Sequence, residues 1–322
     1  MKAVVLCEPC KAEEMALTEV PIPEVRSGWV LIKVKAFGIN HSEVLLRQFE
    51  VSQPYINKPI IPGIECVGEI IDPSDSGFRK GQRVMALMGG MGRSFNGSYA
   101  EYALLPVSHV FPVESSLDWA ELAAIPETFY TAYGSLFVSL QLKKEDTLLI
   151  RGGTSTVGLA ALQLAKAVGA KVISTTRSES KAGILPSIGT DEVILEGEDF
   201  RARLLEKHPE GVTKILELIG AATLKESLKC VAKGGIVCQT GLLGGVYGLR
   251  YFDPIKDIPS GVYLTGFYSN NPMLSEIKDM MSLIEQGGIH PIIADTFIFD
   301  NISAAHQLAE QRGLIGKILV TV

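Results

Sequence analysis

No run of apolar residues in this 322-residue chain approaches the length of a membrane span, so no segment is expected to cross a bilayer. A basic stripe is missing as well. The 30 Lys and Arg are outnumbered by 36 Asp and Glu, giving a net charge of −6 with the two signs interspersed. That balance excludes the cationic surface that nucleic acid requires. Cysteine is scarce: Cys7, Cys10, Cys66, Cys230 and Cys238 are odd in number and lack framework spacing, as expected for reduced thiols in a cytoplasmic protein. Cys7-x-x-Cys10 has no second Cys or His pair near it and follows no strand–helix unit, so we read it as neither a zinc knuckle nor a redox pair. The five histidines (His41, His109, His208, His290, His306) are scattered and suggest no cluster. The opening "MKAVVLCEPCKAEE" is too short in its apolar part for a signal segment and reads as an edge strand. There is no internal repeat and no low-complexity tract.

What is present suits a folded enzyme of two domains: 47% hydrophobic and 20% charged residues argue against extended disorder. The first 120 or so residues hold short strand-like runs ("WVLIKVKAFGIN", "ECVGEII", "QRVMALM") separated by Gly and Pro turns, a spacing that predicts a small, partly open β-barrel. From Leu122 the rhythm changes to strands alternating with helices. Strand-like "TLLI" precedes a helix near 156–168, and "KVISTT" precedes one over 178–187. "EVIL", "TKILELI" and "GIVCQTG" continue the series, with "ATLKESLKCV" reading as helix. This alternation predicts a doubly wound parallel sheet. "GVYLTGFYS" adds a strand, "MLSEIKDMMSLIEQGG" a helix stopped by glycines, and "TFIF" and "GKILVTV" two closing strands.

The run Gly152-Gly153-Thr154-Ser155-Thr156-Val157-Gly158 lies between an apolar strand and a helix of small residues. Glycines in that context let the backbone approach a pyrophosphate, whose charge then sits at the helix N-terminus. Ser155 stands where the central glycine is usual; its hydroxyl can bond a phosphate oxygen or cap the helix. About twenty residues past the last glycine, an acidic residue normally grips the ribose 2′-hydroxyl. Arg177 occupies that position, with Lys181 four residues on. A guanidinium binds a 2′-phosphate bidentately where a carboxylate repels it, so the expected cofactor is NADPH. Arg151, just before the turn, reaches either a phosphate or a surface carboxylate.

With the N-terminal half included, the chain resembles the medium-chain dehydrogenase/reductase superfamily, and within it the zinc-free quinone oxidoreductase branch. The resemblance is carried by "FGINHSEVLLR", "IPGIECVGEI", "GQRVMAL", "GSYAEYALLP", "AAIPETFYTAYGSL", "TVGLAALQLAKAVGAKVI", "TGLLGG" and "GKILVTV". It implies an α/β chain: a GroES-like β-barrel catalytic domain over 1–122, completed by 268–322, and a Rossmann NADPH-binding domain over 123–267. It also implies an active site in the cleft between domains, a homodimer, and Gly241, Leu242 and Phe267 as further cofactor contacts.

Zinc-dependent members of the superfamily carry metal ligands at positions matched here by Asn40, Ile64 and Glu127. Isoleucine cannot ligate, and the four-cysteine structural lobe is missing, so the resemblance implies no metal. It places Asn40 by the nicotinamide ribose and the substrate, Ser42 at the proton-relay hydroxyl, and Thr131 near the nicotinamide. Tyr130, Tyr133 and His41 are secondary candidates for proton donors. Tyr55 is not assigned to the substrate wall, because "RQFEVSQPYINKP" departs from the branch there. The reading is a NADPH-dependent reductase of quinones or other α,β-unsaturated carbonyls. The alternatives are an enoyl-thioester reductase and a catalytically idle NADPH-binding protein.

Overall fold

A computed structural model describes residues 1–311 and 313–322. Two compact units divide the chain. One comprises Met1–Glu127, Ser269–Ile277 and His290–Val322; the other comprises Thr128–Tyr268 and Lys278–Ile289.

The first unit is built on a seven-stranded sheet. Its path runs Ile293–Ile298, Lys317–Thr321, Trp29–Ile39, Glu65–Asp72, Arg83–Leu87, Val110–Pro112, with Tyr102–Pro106 pairing along Trp29–Ile39 off that path. The first pair is parallel and the rest are antiparallel. Trp29–Ile39 anchors the sheet because Val30, Ile32 and Val34 recur every second residue and are fully buried. Beyond Lys35 the alternation gives way to Ala36, Phe37, Gly38 and Ile39, all buried, where the strand pairs with Lys317–Thr321. Phe37 stacks on Tyr99 at 4.4 Å between ring centroids and meets Phe299 edge-on. The pairing Ile39↔Ile318 continues to set Lys317 across from Asn40, while Ala36↔Val67 on the other edge brings in the start of Glu65–Asp72. Three strands thus converge on one spot.

The second unit holds a six-stranded parallel sheet in the order Glu192–Leu195, Lys171–Thr176, Thr147–Arg151, Val212–Glu217, Val231–Gln239, Tyr263–Gly266. Numbered along the chain this is 3-2-1-4-5-6, the dinucleotide-binding order. Ligands of such sheets bind at the carboxyl ends, where the order reverses. Thr156–Ala167 is the helix leaving the first strand, and its Leu159, Leu162 and Leu164 are buried.

Two helices differ from expectation. The single helix over 178–187 is two short ones, Glu179–Ala182 and Ile184–Ile188. Pro186 has no N–H to bond the carbonyl of Ala182, so one helix cannot run through. "ATLKESLKCV" keeps only Leu224–Ser227 as α-helix, because Val231 pairs with Val212 and starts the next strand. Among the described residues no helix is long and apolar enough to cross a membrane.

Candidate functional site

The glycine turn starts where the strand Thr147–Arg151 ends. Gly152 has φ +87°, which only glycine adopts without strain. A Cβ on Gly158 would meet the Gly152 carbonyl oxygen at 2.5 Å, and one on Gly153 would meet Ser174 Cβ at 2.7 Å. The turn is therefore drawn tightly against the helix and the second strand, leaving bare backbone on its outer side. Ser155 resolves toward capping: its Oγ donates to the Gly152 carbonyl at 2.8 Å and accepts from Gly158 N–H at 3.1 Å. With its single proton engaged, the hydroxyl makes the cap. Thr156 and Val157 open the helix, and their N–H groups have no intrahelical acceptor by helix geometry. They are the donors best disposed to hold a phosphate.

The turn is fastened to the second strand through Gly153 N–H to the Thr175 carbonyl at 2.9 Å, and the Thr154 and Thr176 hydroxyls lie 3.5 Å apart. Arg177 follows at once, exposed, and Lys181 lies in the short helix beyond. Gly241 packs on the end of another strand, where a Cβ would strike the Leu218 carbonyl oxygen at 2.3 Å, and Leu242 beside it is exposed. Phe267 lies on Gly134, whose Cβ would fall 1.9 Å from the ring, and meets Tyr130 edge-on at 5.7 Å. Tyr130 is buried, so it packs. Thr131 is buried in the helix Pro126–Tyr133, which runs into a π-helical turn over Gly134–Ser139; Ser135 Oγ donates to the Thr131 carbonyl. Such turns recur at functional sites.

Asn40 and Ser42 belong to the first unit. Asn40 precedes the helix His41–Gln48 and is half-buried. Its Nδ2 donates to Glu65 Oε1 at 2.8 Å, and its Oδ1 accepts from Lys317 Nζ at 2.5 Å. The charges fix the amide: a carboxylate only accepts and an ammonium only donates. Among the described residues, one N–H of Asn40 then remains for another acceptor. Lys317 Nζ also lies 2.7 Å from Glu65 Oε1, and Glu65 Oε2 accepts from Glu127 N–H. Glu43, fully buried, accepts from the N–H groups of Asn40 and Ile64 through its two oxygens. Burial is the main cause that pushes its carboxyl up to about 7, against the pull of Arg93. Arg93 forks onto Glu50 and donates to Ser42 Oγ at 2.8 Å, which leaves the Ser42 proton to be donated elsewhere. Tyr55 is exposed and bonds Glu50, while His41 is exposed.

Sequence reasoning passed over Glu65, Lys317, Glu43 and Arg93. A signal existed for two of them. Glu65 opens "ECVGEII" and Lys317 opens "KILVT", each a charge at the head of a largely buried strand, and charges there are retained only when paired.

Together these features define an oxidoreductase fold with a dinucleotide cradle on one unit and a polar cluster on the other. Residues 26–115 match the alcohol dehydrogenase GroES-like domain, and residues 156–286 match the zinc-binding dehydrogenase family. The chain is 30% identical over 310 residues to a quinone oxidoreductase from Lama guanicoe, covering 94% of this chain and 90% of that one. It is 28% identical to an acryloyl-coenzyme A reductase from Metallosphaera sedula, with full coverage of both. The solved structure of AibC superposes with a TM-score of 0.90 at 29% identity, covering 100% of this chain and 95% of the other. The chain belongs to the medium-chain dehydrogenase/reductase superfamily and is an oxidoreductase of that type.

Two groups are implied by this membership. The cradle fits a nicotinamide dinucleotide, since side chains on Gly153 or Gly158 would clash and the turn leads straight into the N-terminus of the helix Thr156–Ala167. The zinc that some family names imply does not fit. At the matched positions stand an amide, an isoleucine and a glutamate, and the ammonium of Lys317 already supplies the cation beside Glu65. No group of three or more His, Cys, Asp or Glu among the described residues is arranged to hold a metal ion.

Proposed function

We propose that the protein is a metal-independent, NADPH-dependent reductase of quinones and other α,β-unsaturated carbonyl compounds, working as a cytoplasmic homodimer. The observation that carries this reading is the Asn40 amide, held by Lys317 and Glu65 with one N–H to spare. Bound NADPH would supply hydride. A conjugated acceptor passes the incoming charge to its carbonyl oxygen, where a positioned donor suffices. Asn40 is such a donor, Ser42 carries a proton to donate, and Thr131 is a third candidate for nicotinamide contact. None of them acts as a Lewis acid. Removing a proton from a simple alcohol calls for the large lowering of its pKa that a bound metal provides, so alcohol oxidation is disfavoured.

On the cofactor side, Thr156 and Val157 N–H groups would hold the pyrophosphate, and Arg177, with Lys181, would pair the 2′-phosphate. Gly241, Leu242 and Phe267 would line the remainder. The similarity to acryloyl-coenzyme A reductases favours enoyl thioesters as a second acceptor class, since they too are α,β-unsaturated carbonyls.

The test is NADPH consumption with a panel of 1,4-benzoquinones, enones, an enoyl thioester and simple alcohols with NADP⁺. Turnover of the conjugated acceptors, with a strong loss of kcat and little change in NADPH affinity in Asn40→Ala, supports the reading. Alcohol oxidation without any quinone or enone turnover contradicts it.

A further inference from the structure

Arg151 is the residue before the glycine turn, and its guanidinium is 1% exposed. Its Nε donates to Glu196 Oε1 at 3.0 Å and its Nη2 to Glu196 Oε2, a bidentate fork. Nη1 donates to Ser227 Oγ at 3.1 Å and lies 2.9 Å from Glu226 Oε2. The group stacks on the Phe200 ring at 4.1 Å. Glu196, Glu226 and Ser227 take up the guanidinium, so of the two possibilities open from sequence the carboxylate is the one realised, inside the domain.

Glu196 does more than neutralise this charge. Its Oε1 also accepts from Thr175 Oγ at 2.6 Å, and Thr175 Oγ in turn accepts from Gly152 N–H at 3.1 Å. A continuous relay of donors therefore runs from the glycine turn to Glu196, where the Arg151 fork meets it. It ties together the ends of the first, second and third strands of the parallel sheet. On the far side Ser227 Oγ donates to Glu217, whose other oxygen accepts from Ile219 and Gly220 N–H. Arg151 is thus shared between four strand ends.

We propose that Arg151, acting through Glu196 and Thr175, is a positioning residue that orients the Gly152 peptide and so pre-forms the pyrophosphate cradle. The inference rests on dinucleotide binding alone and not on the NADPH preference or the acceptor. The reasoning is one of pre-organisation. The outer face of the turn binds a phosphate only if the Gly152 and Gly153 peptides are held inward. Gly153 N–H is held by the Thr175 carbonyl; Gly152 N–H is held only by the Thr175 hydroxyl among its described bonds. That hydroxyl has one proton, and it donates it to Glu196. A carboxylate locked by the guanidinium fork fixes the direction of that proton, and with it the lone pair offered to Gly152. Ordering this turn at the moment of binding would subtract from affinity; ordering it beforehand does not.

Thr175→Val keeps the shape of a fully buried side chain while removing the relay, and Thr175→Ser restores the hydroxyl. Affinity for NADH and NADPH is measured by their fluorescence on the full chain, well below its melting temperature, with no acceptor present. Loss of the relay should raise both dissociation constants by roughly five- to tenfold in Thr175→Val, leave their ratio unchanged, and be reversed in Thr175→Ser. Arg151→Met should act in the same direction; where it fails to fold, the Thr175 pair carries the test. Melting temperatures that fall with unchanged dissociation constants would show a purely structural network and overturn the proposal. A loss confined to NADPH would assign the network to the 2′-phosphate and overturn it equally.

Discussion

Lys317 Nζ and Glu65 Oε1 lie 2.7 Å apart with side chains 3% and 0% exposed, and both grip the amide of Asn40. A buried pair of this kind is costly to break, because the remaining charge is left out of water and without its counter-charge. Lys317→Met should destabilise the protein by about 3–5 kcal/mol, readable by denaturant unfolding. It should also free the Asn40 amide and lower kcat. Loss of stability with unaltered kcat would separate the pair from the chemistry. Gly38→Ala is a milder probe: its Cβ would meet Lys317 Cε at 2.3 Å and Glu65 Oε1 at 2.6 Å, so the ammonium must shift.

The proposed preference for NADPH rests chiefly on one exposed side chain, Arg177. Arg177→Asp removes the charge-assisted bonds to a 2′-phosphate and adds repulsion, a change of about 1.5–3 kcal/mol. The NADPH to NADH affinity ratio should fall by one to two orders of magnitude or invert. An unchanged ratio would mean that another group reads the phosphate.

Acid stability has a specific cause in His306. It is fully buried against Tyr99, whose hydroxyl lies 3.1 Å from Nε2. Burial, assisted by Arg47, lowers its pKa to about 3. The unfolded state therefore takes up this proton near pH 6.5, well before the folded state does. The stability contributed by neutral His306 is present above pH 6.5 and drains away as pH falls toward 3. His306→Gln should flatten the acid limb of a stability-against-pH curve across that window. An identical limb in the variant would place the acid sensitivity elsewhere.

A sheet edge supports the proposed dimer. Tyr263–Gly266 is the last strand of the parallel sheet, paired with Val231–Gln239 on its inner side, and Tyr263 and Tyr268 are 62% and 75% exposed. Unprotected edges of this kind pair with another strand. Light scattering should return a dimer at micromolar concentration, and Tyr263→Lys should shift it toward monomer. A monomer for the unaltered chain contradicts the expectation.

Much of this was legible in the sequence because periodicity and turn chemistry are local. The strand–turn–helix of Gly152–Gly158 and the Arg at the second strand tip follow from spacing alone. Ser155 was open between two bonds, and only the geometry of Gly152 and Gly158 decides for the cap. Arg151 and Lys317 show the other limit. Glu196 is 45 residues from Arg151, and Asn40 is 277 from Lys317, so their partners come from strand order and register. The 178–187 helix failed for a local reason that the sequence did contain, the proline at 186.

The most direct measurement is the fate of deuterium from NADPH deuterated at the transferred position of C4, with an enone as acceptor and protein treated with a chelator. One deuterium at the β-carbon of the saturated ketone, at an undiminished rate, is the expected result. It would show conjugate reduction carried by the chain's own donors. Deuterium at the carbonyl carbon of an allylic alcohol, or activity lost to the chelator and regained with zinc, would contradict the account.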